Sequence, residues 1–225
     1  MVDKHLFDLS ICQVALFFKS DYRLQALKTA SKIQERLSSL FTVEPSTAAF
    51  PPNVPVPLEV PRVFLQGDPA GQISVSSIRA DIYINNTGND NFESRLSQYV
   101  FDFAECLEAD SFVRVGFIQN FKIIREDALS IIKSSYICSG KLDKSQELNL
   151  GWLNIVDVQG LQVNRLVNIS INGYNPSAPF GTFMVDTNTK PNQQLLLTPA
   201  NIKDYIDECI QQYQDNLTTY IESGI

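Results

Sequence analysis

Apolar and polar positions along this chain follow two rhythms, one of period two and one of about 3.6, and the switches between them mark its elements. Ile11 to Phe18 is an apolar run, rich in β-branched and aromatic residues and too short for a typical helix, which predicts a strand. From Asp21, a residue suited to an N-cap, Leu24, Leu27, Ala30, Ile33, Leu37, Leu40 and Phe41 recur in steps of three and four, predicting a helix to about Leu40. Pro45, Pro51, Pro52, Pro55, Pro57 and Pro61 then remove backbone donors and fix φ, so residues 45–61 read as an extended connector. Arg62 to Gln66 and Ile73 to Ile84 read as a hairpin around Gly67–Gly71. Ile73 and Val75 fall in one phase and Ile78, Ala80, Ile82 and Ile84 in the other, which predicts a bulge near Ser76 and Ser77.

After the breaker Asn85 to Asp90, Phe92, Leu96, Tyr99, Val100, Phe103, Cys106 and Leu107 trace one face of a second helix. Val113, Val115 and Phe117 alternate as a half-buried strand, residues 126–133 have a short helical pattern, and residues 140–146 are polar and read as exposed. Trp152–Val158 and Val163–Asn172 form a hairpin through Gln159 and Gly160, with Val167, Ile169 and Ile171 on one face and Asn168, Ser170 and Asn172 on the other. Phe180 to Val185 is a further strand. Thr198 suits the cap and Pro199 the first turn of a last helix, whose apolar stripe starts at Ile202 and reaches Ile221. The expectation is an α+β fold, a largely antiparallel sheet or sheets packed by long amphipathic helices, in one domain over 1–225. Two β-α-β-β-like halves, 1–110 and 111–225, are a further expectation.

Composition narrows the function classes. The chain has 225 residues, 44% of them hydrophobic, enough for a substantial core. Its net charge of −7 and pI of about 4.7 repel polyphosphate, and Lys19, Arg23, Lys28, Lys32 and Arg36 recur at helical spacing as a solvated face, so no nucleic-acid partner is expected. No apolar run approaches the roughly 20 residues of a membrane-spanning helix, and the acidic start lacks the pattern of a secretory signal. A soluble, cytoplasmic protein is expected, with the glycosylation-like triplets at Asn85, Asn168 and Asn216 as chance matches. Cys12, Cys106, Cys138 and Cys209 are widely spaced and read as buried reduced thiols.

Chemistry is sparse. His5 is the sole histidine, which removes the Ser-His-Asp, Cys-His and multi-histidine metal templates. No phosphate-binding loop is present, since Gly140-Lys141 is followed by leucine and lacks the leading glycine. Asp81, Asp157 and Asp186 fall in or at the ends of strands, where a shared face would gather them for a divalent cation; solvent-facing alternation explains them equally well. Asp102 and Glu105 fit an exposed helix face. Trp152, Tyr174 and Phe180 lie near loop edges and would line a ligand pocket, with core packing as the competing reading. The expectation is no catalytic residue, no metal and no cofactor.

Three stretches, Arg114-Val-Gly-Phe117, Met184-Val-Asp-Thr-Asn-Thr189 and Thr198 to Ile225, resemble an uncharacterised, sporadically distributed bacterial protein family. Its marks are an Arg-x-Gly-apolar strand, a late strand with Asp-x-Asp and a long terminal helix. This chain has Ile118-Gln119 where that family tends to show Arg-Tyr, and Asn188 where a second aspartate is common. The resemblance implies an α+β architecture in a bacterial or phage setting. The leading expectation is a non-catalytic protein-interaction or regulatory component, antitoxin-like or defence-related, with a protein partner or homo-oligomer. The alternatives are a small-molecule or nucleotide-binding module and a metal-dependent enzyme.

Overall fold

The computed structural model describes residues 7–51, 53–88, 92–123, 147–172, 181–191, 193 and 195–222; of Phe7, Asn172 and residues 213–222 only the backbone is described. These residues form an α+β fold dominated by sheet. The strands are β1 (Phe7–Phe18), β2 (Ser46–Thr47), β3 (Val63–Asp68), β4 (Gly71–Val75), β5 (Arg79–Asn85), β6 (Phe112–Ile123), β7 (Glu147–Val158), β8 (Leu161–Asn172) and β9 (Gly181–Thr189). The described helices are α1 (Ala26–Leu37), α2 (Phe92–Cys106) and α3 (Pro199–Glu222). One antiparallel sheet runs in the order β2-β3-β4-β5-β1-β6-β9-β8-β7.

Alternation decides which face is covered. On β1, Cys12, Val14 and Leu16 are buried, and their partners Ile84, Ile82 and Ala80 on β5 are buried with them. The same face continues through Phe117, Phe121, Phe183, Val185, Val167 and Ile169. The described helices lie against it, α2 between α1 and α3. Ile33 and Leu37 of α1, Leu96, Val100 and Phe103 of α2, and Ile202, Tyr205 and Ile206 of α3 close the core. Fully burying an aliphatic or aromatic side chain stabilises by roughly 1.5–3 kcal/mol, so this layer holds the sheet in one shape.

β1 and β6 sit side by side at the centre, antiparallel, and each has a three-strand meander beyond it whose last strand returns to its side: β3-β4-β5 for β1 and β7-β8-β9 for β6. A helix follows each meander, α2 after β5 and α3 after β9.

Several expectations are corrected. α1 starts at Ala26, and Gln25 before it makes no side-chain cap. Asp21 is in a turn because Tyr22 stacks on Phe18 at 3.8 Å and donates its hydroxyl proton to the Leu107 carbonyl, which holds the chain off the helical path. Leu27, assigned to the buried stripe, is 78% exposed. The bulge at Ser76 and Ser77 is a turn between two strands: the Ser76 hydroxyl donates to the Arg79 carbonyl and accepts from the Ile78 and Arg79 amides. The connector 45–61 contains the short strand β2, which pairs with β3.

Other elements agree. The β7–β8 hairpin turns on Gln159 (φ 52°) and Gly160 (φ 72°), both left-handed, as a tight two-residue hairpin requires. Thr198 accepts the Asn201 amide at the start of α3. The patterns read at 126–133 and 140–146, and Cys138, lie outside the described residues.

Candidate functional site

The second face of the sheet is open among the described residues, and its centre is organised. Phe17 on β1 stands in one cross-strand row between Arg79 on β5 and Arg114 on β6. Both guanidinium groups lie over its ring, at 5.2 Å and 4.8 Å from the centroid, within range of a cation–π attraction. The next row is Asp81, Ala15, Gly116 and Asn188, and the one after it Tyr83, Gln13, Ile118 and Asp186.

Asp81 is fixed. Arg79 donates to its Oδ1 from Nε at 3.0 Å and from a terminal nitrogen at 2.6 Å, and Gln13 Nε2 donates to the same oxygen at 3.2 Å. Asn188 donates from its side-chain amide to Asp186 Oδ1. Its own oxygen lies over Gly116, where a Cβ would overlap it, so a larger residue at 116 would push the Asn188 side chain from this position. Burial raises the Asp186 carboxyl above its ordinary value, while the Asn188 amide and the Arg114 guanidinium pull it back. Arg114 Nε is buried without a hydrogen-bond partner.

Arg114 and Gly116 of the mid-chain strand and Asp186 and Asn188 of the late strand therefore meet, because β6 pairs with β9 in the register Gly116–Asn188. Phe17, Arg79 and Gln13 were not singled out in the sequence. Their signal is the alternation of Arg79 and Asp81 with buried Ala80 and Ile82, which puts the ion pair on the open face of β5.

The three strand aspartates do not converge. Asp81 and Asp186 share the open face but are three strand spacings apart, about 14 Å. Asp157 lies at the far end of β7, where it accepts the Gly160 amide. Among the described residues no group of three or more His, Cys, Asp or Glu could hold a metal ion.

Trp152 belongs to the covered face of β7, paired with buried Val167 and packed against the core. It lines none of the surface cavities at α3 (about 320 Å³), at α1 (about 210 Å³) or beside Tyr83 (about 220 Å³). Tyr174 and Phe180 lie outside the described residues. Cys12, Cys106 and Cys209 are buried free thiols, and burial pushes Cys106 and Cys209 up to about 12, far from a reactive thiolate. No described helix is long and apolar enough to cross a membrane.

The open face also exposes aliphatic side chains: Leu153 (61%) and Ile155 (62%) on β7, Leu166 on β8 and Ile11 on β1. Leu153 and Leu166 are direct cross-strand partners in the row that contains Asp186. Compared with known proteins, the chain matches no family model, no curated protein and no solved structure.

Proposed function

We propose that this chain is a non-catalytic recognition component that presents the open face of its sheet to another protein. The observation that carries this reading is the make-up of that face. Arg79, Arg114, Phe17 and Tyr83 occupy its centre, and Leu153, Ile155 and Leu166 its flank, with Lys122 the one lysine on the open face of the described strands. Enrichment in arginine and aromatic residues with depletion of lysine marks the cores of protein interfaces. The carboxylates of the face are already satisfied or too distant for shared chemistry, which favours holding a partner over transforming a substrate.

The setting we assign, a bacterial or phage accessory system of antitoxin-like or defence-related kind in the cytoplasm, follows from the Arg-x-Gly and late-strand resemblance. We also read the chain as two duplicated halves with amphipathic helices covering both. The matching order of central strand, meander and following helix supports this, and failure of residues 7–106 to superpose on 112–222 would remove it.

The test is cross-linking mass spectrometry on the tagged chain in the cells that express it, beside the variant Arg114→Glu. Cross-links to one protein, concentrated on strand residues of the open face and reduced at least tenfold in the variant, are expected. Cross-links confined to the helices and unchanged in Arg114→Glu would sink the proposal.

A further inference from the structure

Three arginines cross one end of the open face in a single line. Arg79 and Arg114 flank Phe17, and Ser76 at the end of β4 faces Arg79, donating its amide to the Arg79 carbonyl at 2.8 Å. Ser76 follows Val75, the partner of Val63, so Arg62, one step before Val63, continues the line on β3. The Arg62 guanidinium lies 6.0 Å from the centroid of the Phe50 ring. Arg62 and Arg114 are four strand spacings apart, about 19 Å, with Arg79 midway. In a chain of net charge −7 this line is a local reversal of sign.

The three differ in what their donors do. Arg79 directs two of them at Asp81. Arg62 and Arg114 lie over aromatic rings and, among the described residues, have neither a hydrogen-bond acceptor nor an ion-pair partner. In both, Nε is buried without a partner, while the terminal nitrogens are not enclosed. Asp186, the acid of this face whose charge Arg114 feels, accepts from Asn188 and makes no ion pair with the arginine. A guanidinium held by a ring keeps its fork of terminal N–H groups open, and that fork matches a carboxylate bidentately. Partly burying a charge without a counter-charge is unfavourable, and an arriving anion removes that cost.

We infer that Arg62 and Arg114 receive two carboxylates from an acidic segment of the partner protein, with Arg79, tied to Asp81, between them. The inference rests on the recognition reading and names the chemistry of what the open face holds. An extended segment advances about 3.3 Å per residue, so acids six positions apart span the gap and, at an even spacing, project to the same side. A nucleic acid fits less well. Arg79 and Arg114 reach the Phe17 ring from the strands on either side of it and occupy the flanks on which a base would stack, and the chain's net charge repels polyphosphate.

The test is an NMR titration of the isotope-labelled full chain with two capped peptides of serine, threonine and glycine. One carries glutamates six positions apart, and the other glutamines at the same places. Burial of Nε slows its proton exchange with water, so the arginine Nε–H signals of Arg62 and Arg114 should be visible, and Arg62→Lys and Arg114→Lys assign them by deletion. The glutamate peptide is expected to move both signals together, at least fivefold further than the glutamine peptide at equal concentration. Raised salt should shrink the response. Arg62→Gln with Arg114→Gln, its backbone amide spectrum otherwise unchanged, should reduce the backbone shifts caused by the glutamate peptide at least fivefold. Equal responses to the two peptides, or tighter binding of an oligothymidylate than of the glutamate peptide, would overturn the inference. No response at millimolar peptide, while Arg114-dependent cross-links to another protein persist, would overturn the acidic occupant alone and leave the recognition reading standing.

Discussion

At one end of the sheet β2 pairs through two residues and lies within a proline-rich stretch; at the other β7 runs for twelve residues without a proline. The β2 end is also tied down from within. Asp68, at the end of β3, is buried and accepts the Thr42 amide and hydroxyl and the Val43 amide from the chain leading into β2, together with the Ala70 amide. The β7 end is anchored to the helix layer instead. Gln212 of α3 donates to the Asp157 carbonyl and accepts from buried Arg165 on β8, which also donates to Thr187 on β9. The first edge is finished by its own loops, and the second is stiffened from behind, with no described strand beyond it. A short, proline-flanked edge resists addition of a strand, a protection that the long β7 lacks in its own sequence.

The largest effect on this contrast should come from Asp68→Ala, which removes four hydrogen bonds to one carboxylate and frees the lead into β2. Hydrogen bonds to charged groups are worth roughly 1.5–3 kcal/mol each and are not additive, so a loss of about 3 kcal/mol in urea denaturation is expected. The pH dependence has a definite sign. Burial alone would raise the Asp68 carboxyl, but the hydrogen bonds from Ala70, Val43 and Thr42 bring it below its ordinary value. Its contribution is therefore complete above the unfolded value near ~3.9 and is lost as pH falls through the lower folded one. Asp68→Ala should lose less stability than the parent across that acid window.

Arg165→Ala attacks the other edge from behind. It leaves Thr187 and Gln212 without their buried donor and should cost about 2 kcal/mol, and faster amide exchange is expected in β7 than in β3. Leu153→Lys with Ile155→Lys should change stability least, within roughly 0.5 kcal/mol of the parent for exposed sites. A thermal melt shifted well beyond that would show that Leu153 and Ile155 are covered on the open face.

Much of this architecture was legible in local pattern. The β7–β8 hairpin carries strict alternation on both sides of Gln159-Gly160, and α2 and α3 carry buried stripes that begin where they were placed. The turn at Ser76 was not, because a serine hydroxyl closes it where glycine or proline would have announced it. β2 escaped because two residues are too few for any rhythm. Trp152 read as lying near a loop edge because the strand pattern was recognised only from that residue, whereas β7 begins at Glu147 and Trp152 stands mid-strand opposite Val167. The site escaped for a different reason. Arg114, Gly116, Asp186 and Asn188 each stood out in the sequence, but their meeting depends on β9 returning beside β6, past β7 and β8, and no local period encodes that order.

The seam between β1 and β6 joins residues about a hundred positions apart, whereas β7–β8 and β3–β4 join near neighbours through turns of a few residues. Closing a long loop costs more chain entropy than closing a short one, and non-local pairings are the slow ones. β1 leaves the ribosome first, and its β6 flank then waits until more than a hundred residues have been made. The middle seam therefore cannot close until β2 to β5 and α2 have been made, and until then β1 keeps one inner edge bare.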